Sequence, residues 1–495
     1  MRLQKQLMNH NGTVLTNGNY DRLITIIHTN DVHSNVEVEP YVKGLADALR
    51  NEGRNVVVIS AGDAFAGTPF ASLSKGLDTA KVMNLVGYDL FTLGNHEQPP
   101  LMEISDFKAI SEAVDFRVLG ANAPKDMRKA IPDIADYAIM EIAGNKIAFI
   151  GLTTPDMKSG TSGAEAVAAA EKAKKSAESE GAEIFVAVAH LGITANDETQ
   201  RSTYLADHCP WLSAIIDAHC HTAHQNGMLR NGVLIAETGQ YGINIGVTEL
   251  IIKDGKFMKA TASLIPIKGN EKDCGITPDL KVLAYLNEVN ERNKPYLNEV
   301  ALTLPVSLHG DRAYSRTRET NLGNLLTDAM RWKTKADIAF VTGLFIRADL
   351  AAGYITRGHL ETALYTDRPV CTFVYTGQQL YDMMETGLSM VPEPNIVFCH
   401  VSGMLIEFDP IKEAGSRITS IKLSDGSKLD FEAAYTCATR YDGLAHCIEG
   451  NLIEGKNYTA GFGSVCEIFA AYVNSGIEIT GEIDGRLMPL TKKNL

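Results

Sequence analysis

Short runs of β-branched and aliphatic residues alternate with stretches of helical spacing through the first half of the chain. Leu23–His28, Asn55–Ser60, Asp89–Leu93, Lys146–Gly151, Ile184–Ala189 and Ala214–Ala218 predict strands. Between them Val42–Asn51, Thr79–Val86 and the Ala-rich Ala164–Ser179 predict helices. That order is the signature of a largely parallel or mixed sheet with helices on its faces. A turn-rich segment at Ile267–Gly275 precedes a connecting helix, predicted from Thr277 as N-cap, Pro278 at the first helical position and Leu280, Leu283, Leu286 and Val289 at helical spacing. Beyond about Glu299 the pattern is less regular. Arg318–Lys333 and Gln378–Gly387 predict helices, Ile338–Val341 and Val370–Tyr375 strands, and Ser402–Asp409 with Ile418–Leu423 an antiparallel hairpin.

A chain of 495 residues is too long for one ordinary core, so two or three domains are expected. The net charge of −14 speaks against broad binding to a nucleic-acid backbone, so no polymeric nucleic acid is expected as partner. No apolar run approaches the roughly 18 residues that span a bilayer, and no membrane partner is expected. The first residues, MRLQKQLMNHNGTVLTNGNYDRL, contain no apolar signal region, and the eight cysteines form no CxxC pair. Both features lead to the expectation of a cytoplasmic protein with free, mostly buried thiols, or of a secreted or periplasmic one if the N-terminus is processed or replaced.

The chemistry lies where the predicted strands end. Asp31 and His33 follow the first strand, Asp63 the second, and Asn95 and His96 the third. His190 closes IFVAVAH, and His219 and His221 follow IIDA. Loops at the carboxyl ends of strands are where open α/β sheets place ligands, so these residues converge on one sheet edge. A lone His is more often structural than functional, and DxH or HxH alone is a weak signal. Five such elements in order, each on a strand end, are far more specific. Imidazole, carboxylate and amide-oxygen donors suit borderline divalent metals such as Mn, Zn, Co or Fe.

TNDVHSN, SAGDAFAGT, LGNHE, VAHLG and AHCHT, in that order, resemble the blocks of the calcineurin-like metallophosphoesterases, specifically the branch containing the two-domain 5′-nucleotidases. The resemblance continues through ETGQYGINIG, RTRETNLGNLLTDA, ADIAFVTGLFIR, VYTGQQL, HVSG and the closing DGRL, covering nearly the whole chain after Leu23. It implies an α/β (α+β) chain: an N-terminal four-layer β-sandwich flanked by helices and a smaller C-terminal mixed α/β domain. The expected divisions are an extension at 1–22, the metallophosphoesterase domain at 23–270, a linker helix at 271–298 and a substrate-binding domain at 299–495. By resemblance, Asp31, His33, His221 and a bridging Asp63 hold one divalent metal, and Asp63, Asn95, His190 and His219 hold a second. His96 becomes the catalytic histidine, and a hydroxide bridging the two metals attacks in line.

On the substrate side, Arg312, Arg316 and Arg347 match the family's phosphate- and ribose-region arginines, whose guanidinium forks bind phosphate bidentately. Asp442 falls in the family's DG turn and could hydrogen-bond a sugar hydroxyl. Three departures qualify the match. Leu344 and Phe345 replace glycines of the family's NGGGIR loop, which predicts a different pocket wall. Thr366 and Thr436 stand where two base-stacking aromatics belong, leaving Tyr365, Tyr435 or Tyr441 as replacements. Pro99 stands at the family Asp that orients the catalytic histidine, which deprives His96 of that support. The expected substrate is therefore a phosphate monoester or pyrophosphate-containing small metabolite, nucleotide or not. Two alternatives stay open: a conventional 5′-nucleotidase or cyclic-nucleotide phosphodiesterase with a re-sited base pocket, and a metal-bearing binding or regulatory protein with little or no turnover.

Overall fold

A computed structural model describes residues 22–99, 101–154, 163–194, 197–364, 368–440 and 456–490. The chain divides into two compact units, Met1–Arg292 and Asn293–Leu495. Strands of the first are β1 Arg22–Thr29, β2 Asn55–Ser60, β3 Leu90–Thr92, β4 Arg117–Leu119, β5 Tyr137–Ile142, β6 Asn145–Leu152, β7 Ile184–Ala189, β8 Ala214–Ile216, β9 Met228–Arg230, β10 Val233–Ala236, β11 Asn244–Lys253 and β12 Lys256–Pro266. They form two six-stranded sheets, in the orders β12-β11-β1-β2-β3-β4 and β5-β6-β7-β8-β10-β9. β1 to β4 run parallel, as do β6, β7, β8 and β10.

Strand periodicity explains the layering. Successive side chains leave a strand on opposite faces, and here both faces are covered. Ile24, Ile26, Val57 and Ile59 of one sheet share an apolar cluster with Ile147, Phe149, Val186 and Val188 of the other. Ile27 and Val58 face outward, toward helices Glu39–Asn51, Leu77–Val86 and Ile104–Ala113. Phe185 and Ala187 face the helix Gly163–Ser179, which presents Ala166, Ala170, Ala173 and Ala177. The result is the expected helix–sheet–sheet–helix sandwich. β4, β5 and β9 to β12 are not among the strands that the sequence pattern predicts.

The connecting helix begins later than its sequence suggests, at Leu280 and not at Pro278. Asp279 outcompetes Thr277 as its cap: Asp279 Oδ1 accepts the amides of Lys281 and Val282, each at 2.9 Å. The inward face is Val282, Leu286 and Val289, while Leu280 is exposed.

In the second unit a five-stranded sheet runs in the order Cys399–Ser402, Ile338–Thr342, Ala434–Arg440, Val370–Thr376, Lys456–Thr459. Helices Asn321–Thr334 and Val465–Val473 cover one face and Gly377–Leu388 the other. The first of these starts at Asn321 rather than Arg318 because Thr320 caps it, accepting the Gly323 amide. The hairpin pairs Met404–Phe408 with Ile418–Leu423; Ser402 belongs to the preceding strand. Seven cysteines are free thiols, six buried and Cys220 partly so, and Cys447 lies outside the described residues. Among the described residues no helix is long and apolar enough to cross a membrane.

Candidate metal centre

The parallel strands of both sheets deliver their carboxyl ends to one edge of the first unit, and all seven sequence-selected donors gather there. Asp31 and His33 follow β1, Asp63 follows β2, Asn95 and His96 follow β3, His190 follows β7, and His219 and His221 follow β8. Ligand atoms of Asp31, His33 and His221 lie within 4.8 Å of one another, as do those of Asp31, Asp63 and His190, and of His33, Asp63 and His96. Asn95 Oδ1 completes the ring, 3.1 Å from His190 Nε2 and 3.0 Å from His219 Nδ1.

Each carboxylate divides its two oxygens between the fold and the centre. Asp31 Oδ2 accepts Asn30 Nδ2 (2.8 Å) and the His219 amide (2.9 Å). Asp31 Oδ1 is buried without a hydrogen-bond partner and faces His221 Nε2 at 3.4 Å. Asp63 Oδ1 accepts the His96 amide (2.9 Å), while Oδ2 faces His190, His33 and His96 at 3.4, 3.7 and 3.8 Å. His190 Nδ1 donates to the Ala61 carbonyl at 2.7 Å, which turns Nε2 inward. His33 and His221 approach Nε2 to Nε2 at 3.3 Å, a contact that a cation between them would make favourable.

Charge balance tells the same story. Burial opposes ionisation of Asp31 and Asp63, yet neighbouring imidazoles, His190 foremost, hold both below the usual carboxylate range. Burial alone would lower His190, but Asp63 and Asp31 outweigh it and raise it to about 10. Burial and then His190 push His219 down to about 4. Two buried carboxylates thus favour positive charge at the centre of the cluster. An orphaned carboxylate oxygen, an oriented imidazole and a mixed N/O donor set fit divalent metal ions.

Several supporting residues lie within or beside the quoted motifs without being candidate metal donors in the sequence reading. Glu97 accepts four backbone amides: Asp63 (2.9 Å) and Gly94 (2.9 Å) on Oε2, Ala64 (3.0 Å) and Phe65 (3.2 Å) on Oε1. Burial and the Asp63 carboxylate raise its pKa to about 7 against those donors. Asn30 bridges Asp31 to Gly239 and Thr238. Asp217 takes the Leu191 and Gly192 amides (3.3 and 3.1 Å) and the Ser202 hydroxyl, fixing the loop after His190. Close approach demands glycine at Gly94, where a Cβ would lie 2.0 Å from Asp63 Oδ1.

His96 takes its orientation from its amide bond to Asp63 and from edge-on packing against His33, with ring centroids 4.6 Å apart. Beside Pro99, Gln98 Nε2 donates to the Gly94 carbonyl (2.8 Å) and Thr153 Oγ1 (2.6 Å), a neutral anchor for the same turn.

In the second unit, the segments bearing the three arginines abut. Ser315 Oγ donates to the Ile346 carbonyl at 3.0 Å, and a Cβ on Gly343 would meet Ser315 O at 2.3 Å. Buried His400, its pKa lowered to about 4 by burial, donates from Nε2 to the Ser315 carbonyl at 2.9 Å. Phe345 is buried in the core, with the Arg440 guanidinium 3.8 Å from its ring centroid. Glu319 holds the closing segment through the Gly485 and Leu487 amides (3.2 and 3.0 Å). Tyr435 packs against the core and its hydroxyl accepts the Asp430 amide at 3.0 Å, a structural role for that ring. Asp442, Tyr365, Thr366 and Tyr441 lie outside the described residues.

Residues 24–222 match the family described as calcineurin-like phosphoesterase, and residues 300–445 match the 5′-nucleotidase C-terminal domain. The chain belongs to the 5′-nucleotidase family that joins these two domains. Among curated relatives, the trifunctional nucleotide phosphoesterase protein YfkN of Bacillus subtilis is 26% identical over 94% of this chain and 35% of its own length. Protein UshA of Escherichia coli is 26% identical over 83% of this chain and 85% of its own length. The chain spans about a third of the length of the first relatives it matches, 35% and 33%. A crystal structure titled 5′-nucleotidase precursor from Thermus thermophilus shares the fold with a TM-score of 0.72, at 24% identity over 95% of this chain and 100% of that one.

Proposed function

We propose that the chain is a metal-dependent phosphohydrolase acting on a phosphate monoester or pyrophosphate-containing small metabolite. The observation that carries this reading is the buried, partnerless Asp31 Oδ1 facing inward among imidazoles at the joint edge of two sheets. Asp31, His33, His221 and Asp63 would hold one divalent ion, and Asp63, Asn95, His190 and His219 the other. Held there, such ions supply water activation and neutralise charge developing on phosphoryl oxygens. The protein's own groups do the rest. Asp63 orients the turn that bears His96 through the His96 amide, and His96 stands ready to hold or give a proton at Nε2. Residues 23–270 form the chemical half and 299–495 the substrate half, where Arg312, Arg316 and Arg347 would bind phosphate oxygens. Nucleotides are the first substrates to test, because the relatives include proteins named nucleotide phosphoesterase and 5′-nucleotidase. The structural engagement of Tyr435 favours substrates that need no stacking on that ring.

Protein stripped of metal and reloaded with Mn, Co or Zn is expected to hydrolyse p-nitrophenyl phosphate or its bis ester, and Asp63→Asn is expected to lose at least about 100-fold. A panel of AMP, cyclic AMP, a UDP-sugar and non-nucleotide phosphates then assigns the substrate class. No turnover with any metal on any ester would defeat the hydrolase reading and favour a metal-bearing binding protein.

A further inference from the structure

Thirteen non-glycine residues of the described chain have left-handed backbone, and seven of them surround the candidate metal centre: Asp31, His33, Ser34, Asp63, His219, His221 and Tyr241. Such conformations are strained and persist where the surroundings over-determine them, typically at functional sites. Tyr241 belongs to this set yet has no place among the donors. It lies between β10 and β11 with φ +56°, followed by Gly242 at +65°.

Two sets of contacts pin this strained pair to the segment that runs from Asp31 to Val38. The Tyr241 amide donates to the Asp31 carbonyl at 2.8 Å. Gly242 sits so close that a Cβ would lie 2.9 Å from the Val38 side chain and 3.3 Å from the Asn35 carbonyl. The backbone therefore aims the Tyr241 ring at two imidazoles, His33 (centroids 5.6 Å, planes at 55°) and His221 (6.1 Å, 54°). Both belong to the same half of the centre. The terminal torsion of a histidine is broad, so a metal-binding imidazole needs something to hold its plane. For His190 the Ala61 carbonyl does so; for His33 and His221 the aromatic wall of Tyr241 can.

We propose that Tyr241 is a positioning residue that sets the divalent-cation affinity of the Asp31–His33–His221 half of the centre, in preference to the Asn95–His190–His219 half. This rests on the metal-centre reading above. The test is titration of the metal-free full chain with Co(II), followed by calorimetry and the visible d–d spectrum. Wild type is expected to bind two equivalents. Tyr241→Ala keeps one and weakens the other by about 10-fold or more, the loss that follows removal of an orienting neighbour. Tyr241→Gly relieves the backbone strain but still lacks the ring, and it behaves like Tyr241→Ala. Tyr241→Phe restores both sites. Two unchanged equivalents in Tyr241→Ala, equal weakening of both sites, or a Phe variant as poor as Ala would each overturn the role of the ring. Recovery in Tyr241→Gly would assign the effect to backbone and overturn it likewise. Wild type that takes up fewer than two equivalents would instead bring down the metal centre itself, and this proposal with it.

Discussion

Glu97 contributes no atom to the ligand cluster, yet its two oxygens accept four backbone amides and so fix the loops that carry Asp63 and Asn95. An ionised carboxylate only accepts. Glu97→Gln turns one oxygen into an NH2 group, which then faces two buried N–H donors. Each unmet donor costs about 1–3 kcal/mol, so the variant is expected to unfold about 2–6 kcal/mol more easily in denaturant and to bind divalent metal more weakly. Wild-type stability together with wild-type affinity would show that the clamp is dispensable. Residues of this kind explain what the sequence leaves dark. Asp31, His33, Asp63, Asn95 and the three strand-end histidines are legible because metal chemistry restricts donor types and strand ends restrict positions. Glu97, Asn30 and Asp217 are ordinary polar residues whose role comes from complete burial beside a ligand loop, and burial of a loop residue leaves no periodic trace. Tyr241 is hidden for a related reason: the left-handed φ that aims its ring at His33 and His221 leaves no periodic trace in the sequence.

Whole elements were readable where one rule acted alone. β2 and β7 coincide with the predicted runs because parallel strands covered on both faces read as continuous β-branched and aliphatic sequence. β11 escaped because polar residues interrupt its run: Thr248 bonds His28 Nε2 at 3.1 Å, and Glu249 pairs with Arg54. Those partners lie far away in sequence, so the pattern alone favours neither strand nor helix. At the connecting helix two capping signals compete, Thr277-Pro278 and Asp279, and geometry decides. A Cβ on Gly44 would lie 2.0 Å from the Thr277 carbonyl oxygen, and the Asp279 amide bonds the Pro40 carbonyl at 2.8 Å. The chain is thus still docked on the helix Glu39–Asn51 where Thr277 would start a turn, and Asp279 is the first residue free to cap. Asp279→Ala should therefore cost about 1 kcal/mol, and Thr277→Ala no more than about 0.5 kcal/mol, by chemical denaturation. The reverse order would mean that the helix begins at Pro278 in solution.

At the scale of the molecule, two units with separate apolar clusters share one chain, and the proposed chemistry divides unequally between them. Every proposed metal ligand precedes Arg292, the last residue of the first unit, so cation binding adds stability there directly. A ligand that binds only the folded form at 100 times its Kd stabilises by about 2.7 kcal/mol. Removing metal with a chelator is accordingly expected to accelerate amide hydrogen exchange in β1, β2, β3, β7 and β8, whose ends carry the donors. The strands Ile338–Thr342 and Val370–Thr376, buried in the second unit, should keep their protection. Mass-spectrometric exchange of the full chain with and without chelator separates the outcomes. Equal loss in both units would show that they unfold as one cooperative body, and unchanged exchange everywhere would remove the basis for a metal centre. Loss confined to the first unit would mean that cation supply governs the half proposed to cleave the ester, while the arginine-bearing half stays folded without metal.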